Sequence, residues 1–214
     1  MHERHLVNTL GALALAVTDL MTDGAGPAAG TSTSGAAALA VLLQAGGPDG
    51  DEPGAGELGV SALGRHVGLS QPAAARMVDA LEARGLARRR RESGNRTTVH
   101  LTPDGARAAR RVLAERADRL APLLEPLAPD ERQVLGRLLD RLLPGVHDRI
   151  GDGDLVCRLC DRHGCTEAGA RCPVGWAARG RPDEPGRSAE PGSSELDSAE
   201  LDSAEPKSEA CSDG

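Results

Sequence analysis

Residues 60–105 read VSALGRHVGLSQPAAARMVDALEARGLARRRRESGNRTTVHLTPDG. Leu63 and Val67 lie four apart and Gly68 follows them. Ser70-Gln71-Pro72 then opens a second run, in which Ala74, Met77, Val78 and Leu81 fall on one stripe. This is the spacing of helices with one buried face. A glycine just past the last apolar position stops a helix, because it accepts a left-handed backbone without a Cβ clash; Gly68 and Gly85 stand at the two such places. Beyond Gly85, two extended runs at 86–91 and 97–101 flank Glu92-Ser93-Gly94-Asn95-Arg96, which has the composition of a turn.

The local order expected is a helix over 61–67 capped by Ser61, a turn in which Leu69 plugs the core, and a helix over 70–84. The Ser70 hydroxyl caps the second helix, with Pro72 in its first turn, where the missing N–H costs little. An apolar-faced helix, a tight turn and a second helix with exposed N-terminal residues make a helix-turn-helix, and the hairpin after it is a wing. In the second strand Thr98 and His100 are expected to face outward against Val99 and Leu101. The free face of the second helix carries Gln71, Ala73, Ala75, Arg76 and Asp79, a mixture suited to base edges and phosphates. Arg88, Arg89, Arg90, Arg91 and Arg96 crowd the hairpin. Alone they read as a solvated charge run; directly after a helix-turn-helix they read as contacts to phosphates or a flanking groove.

LSQPAAARMVDALEARGLARRR at 69–90 resembles the recognition-helix region of the MarR-type bacterial regulators. The resemblance covers roughly residues 3–165. It implies a dimerisation helix before the DNA-reading unit and two long helices after it, with Ser70, Gln71, Ala73, Ala75 and Arg76 facing the major groove and Arg96 entering the minor groove. That family carries Asp-x-Arg at the wing tip. This chain has Ser93-Gly94-Asn95-Arg96, with Glu92 as the acid placed to stand in for the missing aspartate.

The net charge of −7 looks wrong for a DNA binder until it is divided along the 214-residue chain. Residues 61–120 hold thirteen arginines against six acids, a balance of +7; residues 183–214 hold ten acids against Arg187 and Lys207, a balance of −8. The acidity belongs to the tail and the reading head is basic. Arginine outnumbers lysine 24 to 1, and Phe and Tyr are absent. The core must therefore be built from Leu, Val and Ala, and no aromatic platform for stacking bases is expected. No apolar run long enough to cross a bilayer and no signal peptide are read from the sequence, so a cytoplasmic protein without a membrane partner is expected.

The fold class expected is mainly α with a small β-hairpin wing: a winged helix-turn-helix flanked by N- and C-terminal dimerisation helices. Residues 1–56 hold the first dimerisation helix (4–21), a Gly/Ala/Thr/Ser stretch over 23–34, a second helix (35–43) and an acidic Gly/Pro loop. Carboxylates in that loop and the lack of a following Lys-Ser or Lys-Thr argue against phosphate binding. Residues 57–101 are the DNA-binding unit. Residues 102–150 hold the C-terminal dimerisation helices, one opening at Thr102-Pro103-Asp104 and running to about 120, the other running from near Pro129 to Pro144-Gly145. The second of these carries Val134, Leu135, Leu138, Leu139, Leu142 and Leu143, and the first helix carries Leu6, Leu10, Leu13 and Val17. Both strips are too apolar to face water and are expected to form an intersubunit bundle. Residues 151–179 are Cys-rich. Residues 180–214, with Glu-Leu-Asp-Ser-Ala repeated at 195 and 200, form an acidic tail expected to be disordered, either solubilising or competing with DNA for the basic face.

Cys157, Cys160, Cys165 and Cys172 follow the pattern C-x2-C-x4-C-x6-C, and the RLCD…CPV frame around them resembles an appendage of some actinobacterial MarR-like proteins. Clustered thiols in a cytoplasmic chain favour metal or redox chemistry over a structural disulfide. Zinc held by the four thiolates is the first reading, with His163 able to replace one of them; a thiol redox switch and an iron–sulfur cluster stay open. Cys211 reads as a solitary thiol. His66 and His100 read as packed or surface histidines, and Asp152 and Asp154 supply too few oxygens for calcium. No Ser, His and acid arrangement suggests an enzyme.

These features point to a homodimeric regulator of the MarR type that binds a pseudo-palindromic operator in double-stranded DNA, as a repressor relieved by a small-molecule, redox or metal signal. The rivals are a sensor whose Cys cluster controls DNA binding and an adaptor whose winged helix binds protein.

Overall fold

The computed structural model describes residues 2–46, 58–92 and 96–178. Most of the acidic loop before residue 58, the wing tip at 93–95, and the tail with Cys211 lie outside the described residues.

The chain opens with α1 (Glu3–Ala29) and α2 (Thr33–Ala45). Ser32 caps α2 by accepting the Gly35 N–H at 3.1 Å. From Ala36 to Leu42 every side chain of α2 is buried. Such a run of Ala and Leu lets neighbouring helices approach closely, and α1, α3 and α5 pack around it. The core is aliphatic as expected: Leu39, Leu63, Val78, Leu81 and Val112 are its largest fully buried apolar side chains.

The helix-turn-helix comprises α3 (Val60–His66) and α4 (Gln71–Ala83). Gly68 turns the chain at φ +73°, and the Leu69 N–H reaches back to the Gly64 carbonyl at 2.8 Å. Gly64 is where the two helices meet, since a Cβ there would stand 2.6 Å from the Ala74 Cβ. The wing is an antiparallel ribbon of β1 (Ala87–Arg91) and β2 (Thr97–Leu101), in the register that pairs Arg89 with Val99. Leu58 adds a bridge to Val99.

Beyond the wing, Thr102 caps α5 (Pro103–Leu120) by accepting the Gly105 N–H at 3.0 Å. A 3₁₀ turn leads to α6 (Pro129–Ile150), and the Cys-rich segment forms three short helices, α7 (Gly153–Val156), α8 (Arg162–Thr166) and α9 (Pro173–Ala178).

The mainly helical architecture with a two-stranded wing is the one expected, and five local expectations need correction. Gly59, not Ser61, takes the N-cap position of α3, and its carbonyl accepts the Leu63 N–H. Ser70 sits at the N-cap of α4 but its hydroxyl makes no capping bond. The first helix does not end near residue 21; it runs to Ala29, because Gly24, Ala25 and Gly26 are buried and packing overrides the low helix propensity of glycine. A Cβ at Gly24 would collide with the Arg119 side chain, so the small residues seat α1 against α5. Pro144 does not end α6, which continues to Ile150, where Gly151 stops it at φ +74°; the last turns are held as His147 packs on Gly153. Finally, α1 is long and apolar enough to cross a bilayer by length and composition, with a window of mean hydropathy 1.2. Alanine raises the mean without making a continuous apolar run.

Candidate nucleic-acid interface and thiol cluster

α4 divides cleanly. Ala74, Met77, Val78 and Leu81 are buried, which leaves Ser70, Gln71 and Arg76 exposed and Ala73 and Ala75 half-buried. No ion pair engages Arg76 among the described residues. The wing stands beside this surface. In a strand, successive side chains point to opposite faces, so Arg88 and Arg90 share one face and Arg89 takes the other. Arg88 and Arg90 are exposed, and Arg90 Nε lies 3.8 Å from a Glu92 oxygen. Arg96 is exposed at the foot of β2.

Arg89 does not project outward with the other hairpin arginines as expected. It turns back onto α4, pairs with Asp79 at 2.8 Å and with Glu82, and its guanidinium also reaches toward the Ala75 carbonyl at 3.5 Å. The Arg89 backbone N–H donates to Glu82 Oε1 at 2.6 Å. Burial pulls the Arg89 guanidinium pKa down, but the hydrogen bond to Asp79 and the charges of Glu82 and Asp79 outweigh it and hold it above its ordinary value. The two acids of α4 are thus answered within the fold, and the exposed part of the helix keeps the positive sign of Arg76. The period-2 alternation of β1 carried this signal.

The outer face of β2 also departs from simple alternation. Thr98 is 1% exposed rather than outward, with its hydroxyl 2.8 Å from His100 Nε2. Glu92 covers the same place. Its carboxylate lies 3.7 Å from His100 Nε2 and 3.4 Å from the Thr98 hydroxyl, and it meets Arg96 through the backbone, where the Glu92 N–H donates to the Arg96 carbonyl at 2.8 Å. Among the described residues Glu92 thus faces the ribbon; the wing tip, where it is expected to stand in for the missing aspartate, lies outside them.

The four cysteines are free thiols on the wall of one cavity of about 460 Å³. Cys157 closes α7, and the Cys160 N–H bonds to its carbonyl at 2.9 Å. The two side chains share a hydrogen bond that raises the Cys157 thiol far above its usual range. The same bond, with Arg116 and Arg162 helping and burial opposing, lowers Cys160 to about 6. Burial raises Cys165. Among the described residues the cysteine sulfurs do not form a group of three within 4.8 Å of one another. The group that does is His66, Asp152 and Asp154, which the sequence separates by more than eighty residues. Asp154 lies 3.0 Å from His66 Nδ1 of α3, and Gln44 of α2 donates to the Cys160 carbonyl at 2.6 Å, so the appendage is tied to the body of the protein.

Residues 55–99 match the MarR family model. Solved structures similar to the chain include the YusO protein from Bacillus subtilis (22% identity, TM-score 0.53, covering 66% of this chain and 97% of that one). A MarR family protein from Bacillus stearothermophilus is similar too (24%, 0.51, covering 71% and 99%), as is RV1404 from Mycobacterium tuberculosis (21%, 0.53, covering 66% and 92%). No curated protein matches the chain. A segment that matches the MarR family model is thus set in the winged-helix fold shared with these structures.

Proposed function

We propose that this MarR-family chain is a cytoplasmic transcriptional regulator that binds a pseudo-palindromic operator as a homodimer, acting as a repressor. The observation that carries the reading is the exposed N-terminal part of α4, with Ser70, Gln71 and Arg76, beside a wing whose Arg88 and Arg90 are also exposed. Arg76 would read base edges, with Ser70, Gln71, Ala73 and Ala75 letting the helix enter the major groove, while Arg88, Arg90 and Arg96 would meet phosphates or the minor groove. Two such heads would address half-sites roughly 34 Å apart.

The dimer is supported by two helices whose apolar strips lie open in the single chain. Leu6, Leu10 and Leu13 of α1 and Leu138, Leu139 and Leu142 of α6 are each about half exposed. A second copy that covers both strips would bury what is otherwise a large hydrophobic patch. A cavity of about 390 Å³ between α2, α5 and the Cys-rich segment, walled by Leu43, Leu113, Arg110 and Arg162, supports relief by a small-molecule effector.

The test is binding of the full chain to DNA from around its own gene, against scrambled DNA of equal length, over a series of salt concentrations. Selective binding of two protomers per site is expected. Equal affinity for both DNAs at every salt concentration would sink the reading and favour a protein-binding adaptor.

A further inference from the structure

The thiol cluster is the chemistry that the reading head does not use. Three short helical turns bring Cys157, Cys160, Cys165 and Cys172 to the wall of one cavity, beside Arg162 and Thr166. The segment has little core of its own: Leu159 and Val174 are buried, and no residue of α7 or α8 is. A segment with so few buried apolar side chains needs a cross-link to keep one shape. Two cations also face the sulfurs. Arg116, whose Nε is buried without a hydrogen-bond partner among the described residues, and Arg162 both act on Cys160. A divalent cation held by four thiolates is a net anion, and such a centre suits two flanking guanidinium groups.

We propose that Cys157, Cys160, Cys165 and Cys172 bind one thiophilic divalent cation of the zinc class, and that filling this site fixes the appendage against α3 of the reading head. The sulfurs are not gathered in this structure, whereas bonds of about 2.3 Å in a tetrahedral site bring them to roughly 3.8 Å from one another. Closure draws in the exposed Cys165 and, with it, α8. Arg162 of α8 bonds Asp154 at 2.5 Å, and Asp154 pairs with His66 of α3. Leu155 of α7 meanwhile lies against Gly68, the turn between the two helices of the reading head. Metal binding is thereby coupled to the shape of the helix-turn-helix. This second half rests on the proposed DNA binding; the first does not.

The experiment uses the full chain, purified anaerobically, assayed for metal, then chelated and titrated with Co²⁺. One metal per chain and a thiolate-to-cobalt charge-transfer band are expected, lost in Cys160→Ser and Cys172→Ser and kept in Asp152→Asn. Circular dichroism checks folding, and the band of the unmodified chain decides if the Ser variants fail to fold. Four results would each overturn the site: no band, a coloured iron and sulfide centre, thiols that only oxidise in pairs, or cobalt binding without the band that depends on Asp152. In the second arm, chelation is expected to weaken DNA binding about tenfold, and Asp154→Asn to keep the metal but remove that difference. Equal affinity of the loaded and chelated forms would overturn the coupling. A chain that gives the band but binds no DNA in either form would refute the regulator reading and leave the metal site standing.

Discussion

The Arg89 guanidinium lies 2.8 Å from the Asp79 carboxylate and so joins the first strand of the wing to α4. Glu82 completes the clamp from the next turn of α4. Arg89→Ala is expected to destabilise the protein by about 1–2 kcal/mol, since it strands a half-buried carboxylate and frees the wing from the helix. Arg88→Ala should cost far less. Urea denaturation of the two variants checks this, and equal midpoints would count against the clamp.

Arg76 and the exposed wing arginines should fail in different ways. Arg76→Ala should lose about 1–3 kcal/mol of discrimination between operator and scrambled DNA. Arg88→Ala and Arg90→Ala should weaken binding to both DNAs alike and reduce the salt slope by about one. Fluorescence anisotropy on both DNAs at several salt concentrations separates the two classes.

Gly64→Ala should disturb the angle between α3 and α4, because its Cβ would sit 2.6 Å from that of Ala74. Overpacking of this kind costs about 1–3 kcal/mol. Gly136→Ala, on an open part of α6, serves as the control because a Cβ there meets nothing. Thermal melting of the pair should show a clear drop for Gly64→Ala alone.

Leu10→Glu and Leu142→Glu place a charge on the open strips of α1 and α6. Each should turn a dimer into a monomer without unfolding it, as read by sedimentation velocity and circular dichroism. A monomeric parent chain would refute the dimer outright.

Metal-free protein should carry one thiol that alkylates well below the usual cysteine range. Cys160 is lowered to about 6 by its hydrogen bond with Cys157 and by Arg116 and Arg162. Its thiolate is therefore present above that pH and lost below it, and the rate of alkylation should rise through about pH 6. Arg116→Ala should move the midpoint upward.

Most of the helix-turn-helix and its wing was legible because its signals are local. Gly68, Gly85, the stripe of Ala74, Met77, Val78 and Leu81, and the Thr102-Pro103 start each act within a few residues, and each stands as expected in the fold. What escaped depended on contacts distant in sequence or on competition between rules. Five arginines in and around the hairpin invited one collective reading, but the pleat sends Arg89 inward to Asp79 and Glu82. Gly24, Ala25 and Gly26 look like a break, yet burial against α5 keeps them helical. His66 and Asp154 meet across eighty-eight positions, a proximity that no spacing pattern could reveal.

Gly105 ties off the base of the wing. A Cβ there would stand 1.8 Å from the Leu86 carbonyl oxygen, the same carbonyl that accepts the Thr102 N–H, while the Thr102 hydroxyl donates to the Gly85 carbonyl at 2.6 Å. Both ends of the ribbon are thus clamped at one knot beside the C-terminus of α4. Mechanically the wing is a bracket fixed at its root, so Arg88, close to that root, is held at a set distance from α4. On the proposed DNA-binding reading, a fixed spacing between α4 and Arg88 would favour DNA whose phosphates stand at that spacing from the groove that α4 enters.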